Sequence, residues 1–330
     1  MSTGVVCTAL TGEDGLRIEE LPDRPLQAGE IRIAVRAASV NYPDVLVTRG
    51  EYQARAEPPF VVGNECSGEV VELGPGVTGF APGDRVLALV GLGAFATEVI
   101  ARPGQAQVFR LPDSMSWAEA TSFNLTYGTA YHGLIRRGGL LAGETVAITG
   151  AAGGCGSAAV QVARAANAGT VVAIVGGPEK CDLARRLGAD VVIDHTGSAD
   201  YSAVVREATG SFGVNVFFDP VGGADIRAAL RSLAWGGRYL MIGFAGGIPV
   251  VRLNQTILRN ISLIGVAYGA SAIADPESNA QDWAQLFRWY AEGKAKPAVG
   301  QVYPLARAID ALRAVRERRA VGKVVIEMPD

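Results

Sequence analysis

The chain has 330 residues, and 49% of them are hydrophobic, which is enough for two hydrophobic cores and so for two domains. Its 30 basic and 33 acidic residues are interspersed and give a formal net charge of -3, which argues against nucleic-acid or anionic-lipid partners. The first stretch, "MSTGVVCTALTGEDG", has no leader pattern, and no apolar run approaches the thickness of a bilayer. We therefore expect a cytoplasmic protein with no membrane partner.

The cysteines and histidines are too few and too scattered for a metal centre of local spacing. The chain has four cysteines and two histidines: Cys7, Cys66, Cys155, Cys181, His132 and His195. No C-x-x-C pair occurs among them. We expect neither a disulfide framework nor an ordinary Cys/His zinc site.

The first 110 residues contain short segments that alternate apolar and polar residues, such as "LRIEEL", "IRIAVRAA", "SGEVVELG" and "RVLALV". Turn signals such as "AGE", "GPG" and "APGD" separate them. This texture predicts an antiparallel β domain.

From about Glu144 the pattern changes to apolar strands that alternate with helical stretches. The expected strands are "TVAIT", "TVVAIV", "DVVID", "VNVFFD", "RYLMIG" and "SLIGV". Such repetition predicts right-handed βαβ crossovers, and so an α/β Rossmann domain with a doubly wound, parallel, six-stranded sheet. We expect this domain at residues 123–296. A break at Lys296-Pro297 precedes a tail that should rejoin the first domain, giving a β-rich domain of residues 1–122 and 297–330.

The stretch "TGAAGGCGSAAVQVARA" lies where the first of these strands turns into a helix. The N-terminus of a helix has free backbone N–H groups and partial positive charge, so it suits a pyrophosphate. Gly153 and Gly156 fill the last two glycine positions of a dinucleotide fingerprint, and Ala151 replaces the first. Gly154 and Cys155 lie at the same corner, where Cys155 is expected to be a small hydrophobe. Close packing of helix and strand is the alternative explanation.

The end of the second strand indicates which nicotinamide cofactor binds. An acidic residue there would receive the ribose 2′-hydroxyl, but the sequence reads "AIVGGPEK". Gly176 and Gly177 leave the turn after this strand uncharged. Lys180 places an ammonium nearby that suits a 2′-phosphate. This favours NADPH. The alternative is that Lys180 is a solvated helix residue.

Gly243, Phe244 and Ala245 follow the fifth strand. Ligands bind beyond the carboxyl ends of strands in open α/β sheets, so the backbone of these residues is expected to line the nicotinamide site. A plain turn is the alternative.

With these motifs in place, the sequence resembles the zinc-free quinone oxidoreductase branch of the medium-chain dehydrogenase/reductase superfamily. The resemblance covers nearly the whole chain through "VNYPDVLVTRGEY", "PFVVGNECSGEVVELGPGVTGFAPGDRV", "LTYGTAYHGL", "AGETVAITGAAGGCGSAAVQVA", "DPVGG" and "GKVVI". It implies a GroES-like catalytic domain, a Rossmann domain, NADPH, and a homodimer joined through the sixth Rossmann strand, "SLIGVAYG".

The same resemblance implies that both zinc sites are absent. Asn41 stands where zinc-dependent relatives have a cysteine ligand, and Asn64 where they have a histidine, although Glu65 remains. Amides are poor ligands for Zn²⁺. The lobe that carries four cysteines is missing from the short run "ALVGLGAFATEV".

Two residues are expected at the substrate. Tyr52 matches a tyrosine that related enoyl reductases place there, where a phenol can donate to a developing enolate, and Asn41 matches the active-site asparagine. The alternatives are that Tyr52 packs a loop and that Asn41 caps a turn before Pro43.

Three further residues are expected at the cofactor by resemblance. Thr129 matches the threonine at the nicotinamide end, and Tyr268 lies in a segment placed similarly. His195 replaces a tyrosine found near the 2′-phosphate and could donate to it, or could be a solvated loop residue. The alternatives are a Thr129 bonded to its own helix turn and a Tyr268 packed at the dimer seam.

The expected function is zinc-independent hydride transfer from NADPH to a quinone or another α,β-unsaturated carbonyl compound. An enoyl- or acryloyl-CoA reductase is the alternative enzyme. A catalytically silent NADPH-binding protein is the alternative from another class, since fold alone does not fix function.

Overall fold

The computed structural model describes residues 2–53, 55–105, 107–197, 200–223 and 226–329. The chain forms two compact units, Met1–Leu125 with Ala298–Asp330, and Thr126–Pro297. These limits lie close to the expected division after residue 122 and before residue 297. Within the described ranges, no helix combines the length and apolar character needed to cross a bilayer.

Eight strands and two helices of the described chain precede the Rossmann sheet. They are β1 (Ser2–Cys7), β2 (Leu16–Leu21), β3 (Ile31–Val40), α1 (Tyr42–Val47), β4 (Phe60–Val61), β5 (Glu65–Leu73), β6 (Arg85–Leu89), β7 (Glu98–Ala101), β8 (Gln107–Arg110) and α2 (Trp117–Tyr131). A 3-10 helix spans Gly12–Gly15, and a π-helix, His132–Arg137, continues α2.

The second unit contains the elements of the predicted parallel sheet. They are β9 (Thr145–Thr149), α3 (Gly154–Ala165), β10 (Thr170–Val175), α4 (Pro178–Arg186), β11 (Val191–Asp194), α5 (Ser202–Ala208), β12 (Val214–Asp219), α6 (Arg227–Ser232), β13 (Leu233–Met241), α7 (Asn254–Ile257), β14 (Ser262–Gly265), α8 (Tyr268–Ala274) and α9 (Pro276–Ala291).

In the described residues these strands form one six-stranded sheet in the order β11-β10-β9-β12-β13-β14, and all of its pairs are parallel. The predicted doubly wound Rossmann sheet is confirmed. Strands such as β10 and β12 are almost continuously buried, because helices cover both faces of a parallel sheet. The order places the carboxyl ends of β9, β12 and β13 side by side.

The first unit is a β domain closed by the C-terminal tail. The tail forms β15 (Val299–Pro304), a 3-10 helix (Leu305–Arg307), α10 (Ala308–Arg316) and β16 (Lys323–Glu327). Among the described residues, a sheet of order β15-β16-β3-β5-β6-β8 also holds β7 against β3, and β2-β1-β4 forms a second sheet.

The alternating pattern of β3 explains its place in this unit, since Ile31, Ile33 and Val35 all point into the core. β16 pairs antiparallel with β3 and places Val324 opposite Val40. Lys323, at the start of β16, therefore lies beside the end of β3.

Candidate active site

The corner between β9 and α3 has the geometry of a phosphate-binding loop. Gly150 adopts φ +56°, the left-handed region that favours glycine, and this supplies the turn. Ala151 is fully buried and is not among the residues with positive φ, so it needs no glycine. Gly153 precedes the first turn of α3 with extended backbone.

Close approach of backbone to backbone explains the glycine at position 156. A Cβ atom at Gly156 would lie 2.1 Å from the carbonyl oxygen of Gly150. The first turn of α3, which begins at Gly154 and includes the half-buried Cys155, is therefore held tightly against the loop. The N-terminus of a helix carries partial positive charge and directs N–H groups outward, so this corner fits a pyrophosphate.

A second cluster lies at the ends of β10 and β11. A Cβ atom at Gly176 would lie 3.5 Å from Nε2 of His195, so the structure brings these two predicted residues together. Lys180 is half-buried in the first turn of α4, which begins directly after Gly177. The residues expected at the 2′-phosphate therefore share one end of the sheet.

Asp194 is a charged residue of this cluster that the sequence interpretation missed. One carboxylate oxygen accepts hydrogen bonds from the backbone N–H of Gly177 at 3.0 Å and from Thr196 at its N–H (2.9 Å) and hydroxyl (2.5 Å). These bonds, the Thr196 hydroxyl first, lower the pKa of Asp194 to about 2. The signal was present in "DVVID", because an acid at the end of a parallel strand faces the ligand edge.

The loop after β13 holds the predicted residues Gly243, Phe244 and Ala245. A Cβ atom at Gly243 would lie 3.0 Å from the carbonyl oxygen of Pro220, so this loop packs against the one after β12. Phe244 is 37% exposed, and Ala245 is half-buried. Thr129 is buried in α2. Contact of these residues with a nicotinamide stays a prediction.

Tyr268 packs inside the second unit. Its hydroxyl accepts a hydrogen bond from Nε1 of Trp283 at 3.0 Å, and a Cβ atom at Gly128 would lie 2.3 Å from its ring. The residue is 6% exposed. These contacts favour a packing role for Tyr268, while its expected place at the cofactor stays a prediction.

In the first unit, Asn41 belongs to a buried polar network. Its Nδ2 donates to Oε1 of Glu65 at 2.7 Å and to the carbonyl of Ser39 at 3.3 Å. Its Oδ1 accepts a hydrogen bond from Nζ of Lys323 at 2.7 Å. Both ends of the amide are therefore bonded within the protein.

Glu65 is the centre of this network and is fully buried. Besides Asn41, Oε1 accepts from the Ser39 hydroxyl at 2.5 Å and from Lys323 at 3.2 Å, while Oε2 accepts the Leu125 N–H at 2.7 Å. A buried carboxylate requires such partners, and here they include an equally buried ammonium. The sequence interpretation noted Glu65 but missed Lys323, whose signal was a charge at the start of the apolar run "VVI".

Asp44 extends this network, and its charge acts on Tyr52. Its Oδ2 accepts the N–H of Asn41 at 2.7 Å, and the N–H of Asn64 also donates to its carboxylate. Burial, helped by the charge of Glu65, raises the pKa of Asp44 to about 7. Burial and the charge of Asp44 also raise the pKa of Tyr52, so this phenol keeps its proton at neutral pH.

These residues do not fit a zinc ion. Amides, those of Asn41 and Asn64, stand at the positions of two zinc ligands. The ammonium of Lys323 donates hydrogen bonds to the oxygens of Asn41 and Glu65, which a metal ion would otherwise need. Zn²⁺ prefers thiolate, imidazole and free carboxylate. In the described residues, no three His, Cys, Asp or Glu side chains are grouped to hold a metal.

The strand order and the two polar clusters define a dinucleotide-binding unit joined to a GroES-like unit, and known proteins match both. The profile of the alcohol dehydrogenase GroES-like domain matches residues 27–113, and that of the zinc-binding dehydrogenases matches residues 154–292. Quinone oxidoreductase-like protein 2 from Bos taurus is 36% identical over 314 residues, which cover 95% of this chain and 89% of the bovine protein.

Solved structures agree with these matches. A mycobacterial protein in complex with NADPH has a TM-score of 0.91 and 31% identity, covering 99% of this chain and 100% of the other. CurK enoyl reductase has a TM-score of 0.89 and 26% identity, covering 99% of each chain. The chain belongs to the zinc-free, quinone oxidoreductase-like branch of the medium-chain dehydrogenase/reductase superfamily.

Proposed function

We propose that this protein is an NADPH-dependent, zinc-independent reductase that transfers hydride to a quinone or another α,β-unsaturated carbonyl compound. The observation that carries the proposal is the contact of Gly156 with Gly150, since a Cβ atom there would lie only 2.1 Å from a backbone oxygen. This packing holds the N-terminus of α3, with its partial positive charge, at the place where we expect the pyrophosphate. NADPH, when bound, supplies the hydride.

The choice of NADPH is supported by the uncharged turn at Gly176 and Gly177 and by Lys180 in the next helix turn. The similarity to a mycobacterial protein solved with NADPH agrees with it. The carboxylate of Asp194 lies in the same cluster, and its negative charge would repel a 2′-phosphate. We therefore expect Asp194 to weaken the preference for NADPH over NADH.

Tyr52 is the residue that we propose to donate a hydrogen bond to the acceptor carbonyl. Its raised pKa keeps the phenol protonated, and a carbonyl oxygen that gains negative charge strengthens such a bond. For Asn41, the bonds to Lys323 and Glu65 favour a positioning role at the start of α1, three residues before Asp44.

An acceptor screen followed by NADPH absorbance tests the function. We expect 1,4-benzoquinone, naphthoquinone or an enone to accelerate NADPH oxidation, and no acceleration across this panel would overturn the proposal. Tyr52→Phe should lower kcat about tenfold or more. Tyr303→Phe is the control, since the Tyr303 hydroxyl donates a long, exposed hydrogen bond of 3.5 Å to Gln301. Full kcat in Tyr52→Phe would remove the phenol from the mechanism.

An enoyl-CoA reductase is the second candidate, and the similarity to CurK enoyl reductase favours it. The ratio of kcat/KM for crotonyl-CoA to that for naphthoquinone separates the two. Tight NADPH binding in calorimetry without turnover of any acceptor would instead favour a silent NADPH-binding protein.

A second copy of the chain is the partner that we propose. β14 is the edge strand of the six-stranded sheet in the described residues, and an edge strand can pair with a second chain. One of its carbonyls, that of Gly265, accepts a hydrogen bond from Nε of Arg137 at 3.1 Å. Ile257 and Leu258, just before it, are 78% and 74% exposed. An apolar surface beside an open strand edge is typical of a dimer interface.

A further inference from the structure

Asp219, the last residue of β12, is a buried carboxylate that accepts four hydrogen bonds. Oδ1 accepts from the hydroxyl of Thr149 and from the N–H groups of Val221 at 2.9 Å and Gly222 at 3.0 Å. Oδ2 accepts the phenol of Tyr239 at 2.5 Å. The residue is 3% exposed, and all four partners are neutral donors.

Two of these partners, Thr149 and Tyr239, come from the neighbouring strands of the Rossmann sheet. Thr149 ends β9, Asp219 ends β12, and Tyr239 lies near the end of β13, in the order β9-β12-β13. One side chain therefore joins the carboxyl ends of three parallel strands. A carboxylate suits this place because it only accepts hydrogen bonds, whereas an asparagine amide would present N–H groups to donors.

The loops that follow these strands touch each other. A Cβ atom at Gly150, which follows Thr149, would lie 3.0 Å from Cγ2 of Val221. The N–H of Gly246 donates to the carbonyl of Val221 at 2.6 Å, and that of Gly223 donates to Gly247 at 2.8 Å. The backbone carbonyl of Asp219 also accepts the N–H of Ile242 at 3.0 Å.

The loops joined in this way are those assigned to different parts of the cofactor. The loop after β9 is expected at the pyrophosphate, and the loop that contains Gly243, Phe244 and Ala245 is expected at the nicotinamide. The cluster of Gly176, Lys180 and His195, expected at the adenosine 2′-phosphate, lies beyond the bonds of Asp219, at the ends of β10 and β11.

We propose that Asp219 is a positioning residue that sets the pyrophosphate loop and the nicotinamide loop relative to each other, so that NADPH binds to both at once. This inference rests on NADPH being the cofactor. It gives Asp219 no contact with the cofactor: the residue acts through Thr149, through Tyr239 and through the N–H groups of Val221 and Gly222, whose loop touches both of the others.

The test compares two ligands in three variants. NADPH binding is measured by calorimetry, and binding of adenosine 2′-phosphate, which lacks pyrophosphate and nicotinamide, by ligand-observed NMR. The variants are Asp219→Asn, Thr149→Val, which removes only the bond to β9, and Thr149→Ser, which keeps a hydroxyl.

We expect the Kd of NADPH to rise about tenfold in Asp219→Asn and about threefold in Thr149→Val, with Thr149→Ser close to wild type. Adenosine 2′-phosphate should bind all variants within about twofold of wild type, because its site lies outside the network. Thr149→Val supplies the test if Asp219→Asn does not fold.

Unchanged NADPH affinity in folded Asp219→Asn or Thr149→Val would overturn the inference. An equal loss of both ligands would overturn it as well, because the residue would then support the whole unit rather than two loops. If wild-type protein binds neither NADPH nor adenosine 2′-phosphate, NADPH is not the cofactor and this inference fails with the proposed function. That result is obtained before any variant is made.

Discussion

Nζ of Lys323 lies 2.7 Å from Oδ1 of Asn41, although 282 residues separate the two in the chain. The pairing of β16 with β3 brings them together and buries the ammonium beside Glu65. By resemblance, Asn41 stands at the position of a zinc ligand in zinc-dependent relatives. In this chain its side-chain oxygen binds the ammonium of Lys323. The network is closed within the first unit.

Removal of this ammonium should be costly. Lys323→Met leaves the oxygens of Glu65 and Asn41 without their cation, and the loss of one partner of a buried pair typically costs about 3 kcal/mol or more. Urea unfolding measures the loss. Lys294→Met, which breaks an exposed pair with Glu292, should cost less than about 1 kcal/mol. Equal losses in the free energy of unfolding of the two variants would contradict the idea that burial makes the Lys323 pair costly to break.

Asp44 should make stability depend on pH. Its pKa is raised from 3.8 to about 7, so the folded protein holds this proton more tightly than the unfolded chain does. The resulting stabilisation is fully present below pH 4 and is lost as the pH rises through 7, an effect on the order of 4 kcal/mol.

Asp44→Asn should remove this slope, which unfolding measurements between pH 5 and pH 8 would detect. Asp194, with a pKa lowered to about 2, titrates below that window. Asp84→Asn is the control, because the pKa of Asp84 is lowered by Arg110 and its loss should leave the slope intact. A slope retained in Asp44→Asn would show that another group titrates.

Gly156→Ala should weaken NADPH binding. The added Cβ would lie 2.1 Å from the Gly150 oxygen, so the helix must move away from the loop, and overpacking of this kind costs about 1–3 kcal/mol. We expect a rise in Kd of about tenfold, measured by calorimetry. Gly269→Ala, in α8, brings its new Cβ within 4 Å of no described atom beyond its own helix turn, so it should bind NADPH normally. Wild-type affinity in Gly156→Ala would speak against the assigned cradle.

Asp194 and Lys180 should shift cofactor preference in opposite directions. Asp194→Asn removes a charge that repels a 2′-phosphate, so the affinity for NADPH relative to NADH should rise about threefold. Lys180→Ala should lower the same ratio by a similar factor. Fluorescence titrations with both cofactors give the ratios. Wild-type affinity for NADH equal to that for NADPH would contradict the assignment of this cluster.

The proposed dimer should depend on the apolar surface before β14. Replacing Ile257 and Leu258 together by glutamate places two charges on that surface, so light scattering should report a monomer. Leu141→Glu, at another position of the same unit that is 65% exposed, should stay dimeric. A wild-type monomer at micromolar concentration would rule out this assembly.

Local patterns were sufficient to predict the sheet and the glycine-rich turn between β9 and α3. The alternation in "IRIAVRAA" and the apolar runs from "TVAIT" to "SLIGV" specify strands, because burial on one face or on both is written into successive residues. Gly150, beside Ala151, adopts a φ of +56° and so supplies the turn that Ala151 does not need to make. The spacing of glycines in a sequence indicates where the backbone needs a positive φ or a close approach to another segment.

Tertiary structure alone decided which polar residues meet. Lys323 reaches Asn41 and Glu65 only through strand pairing between the two ends of the chain, and Asp219 reaches Thr149 and Tyr239 only because β9, β12 and β13 are adjacent. Hydrogen bonds between distant residues leave no period in a sequence. The sequence by itself therefore determined the strands and the glycine turn between β9 and α3, whereas the fold determined which charges are buried, since each is stable only beside its partners.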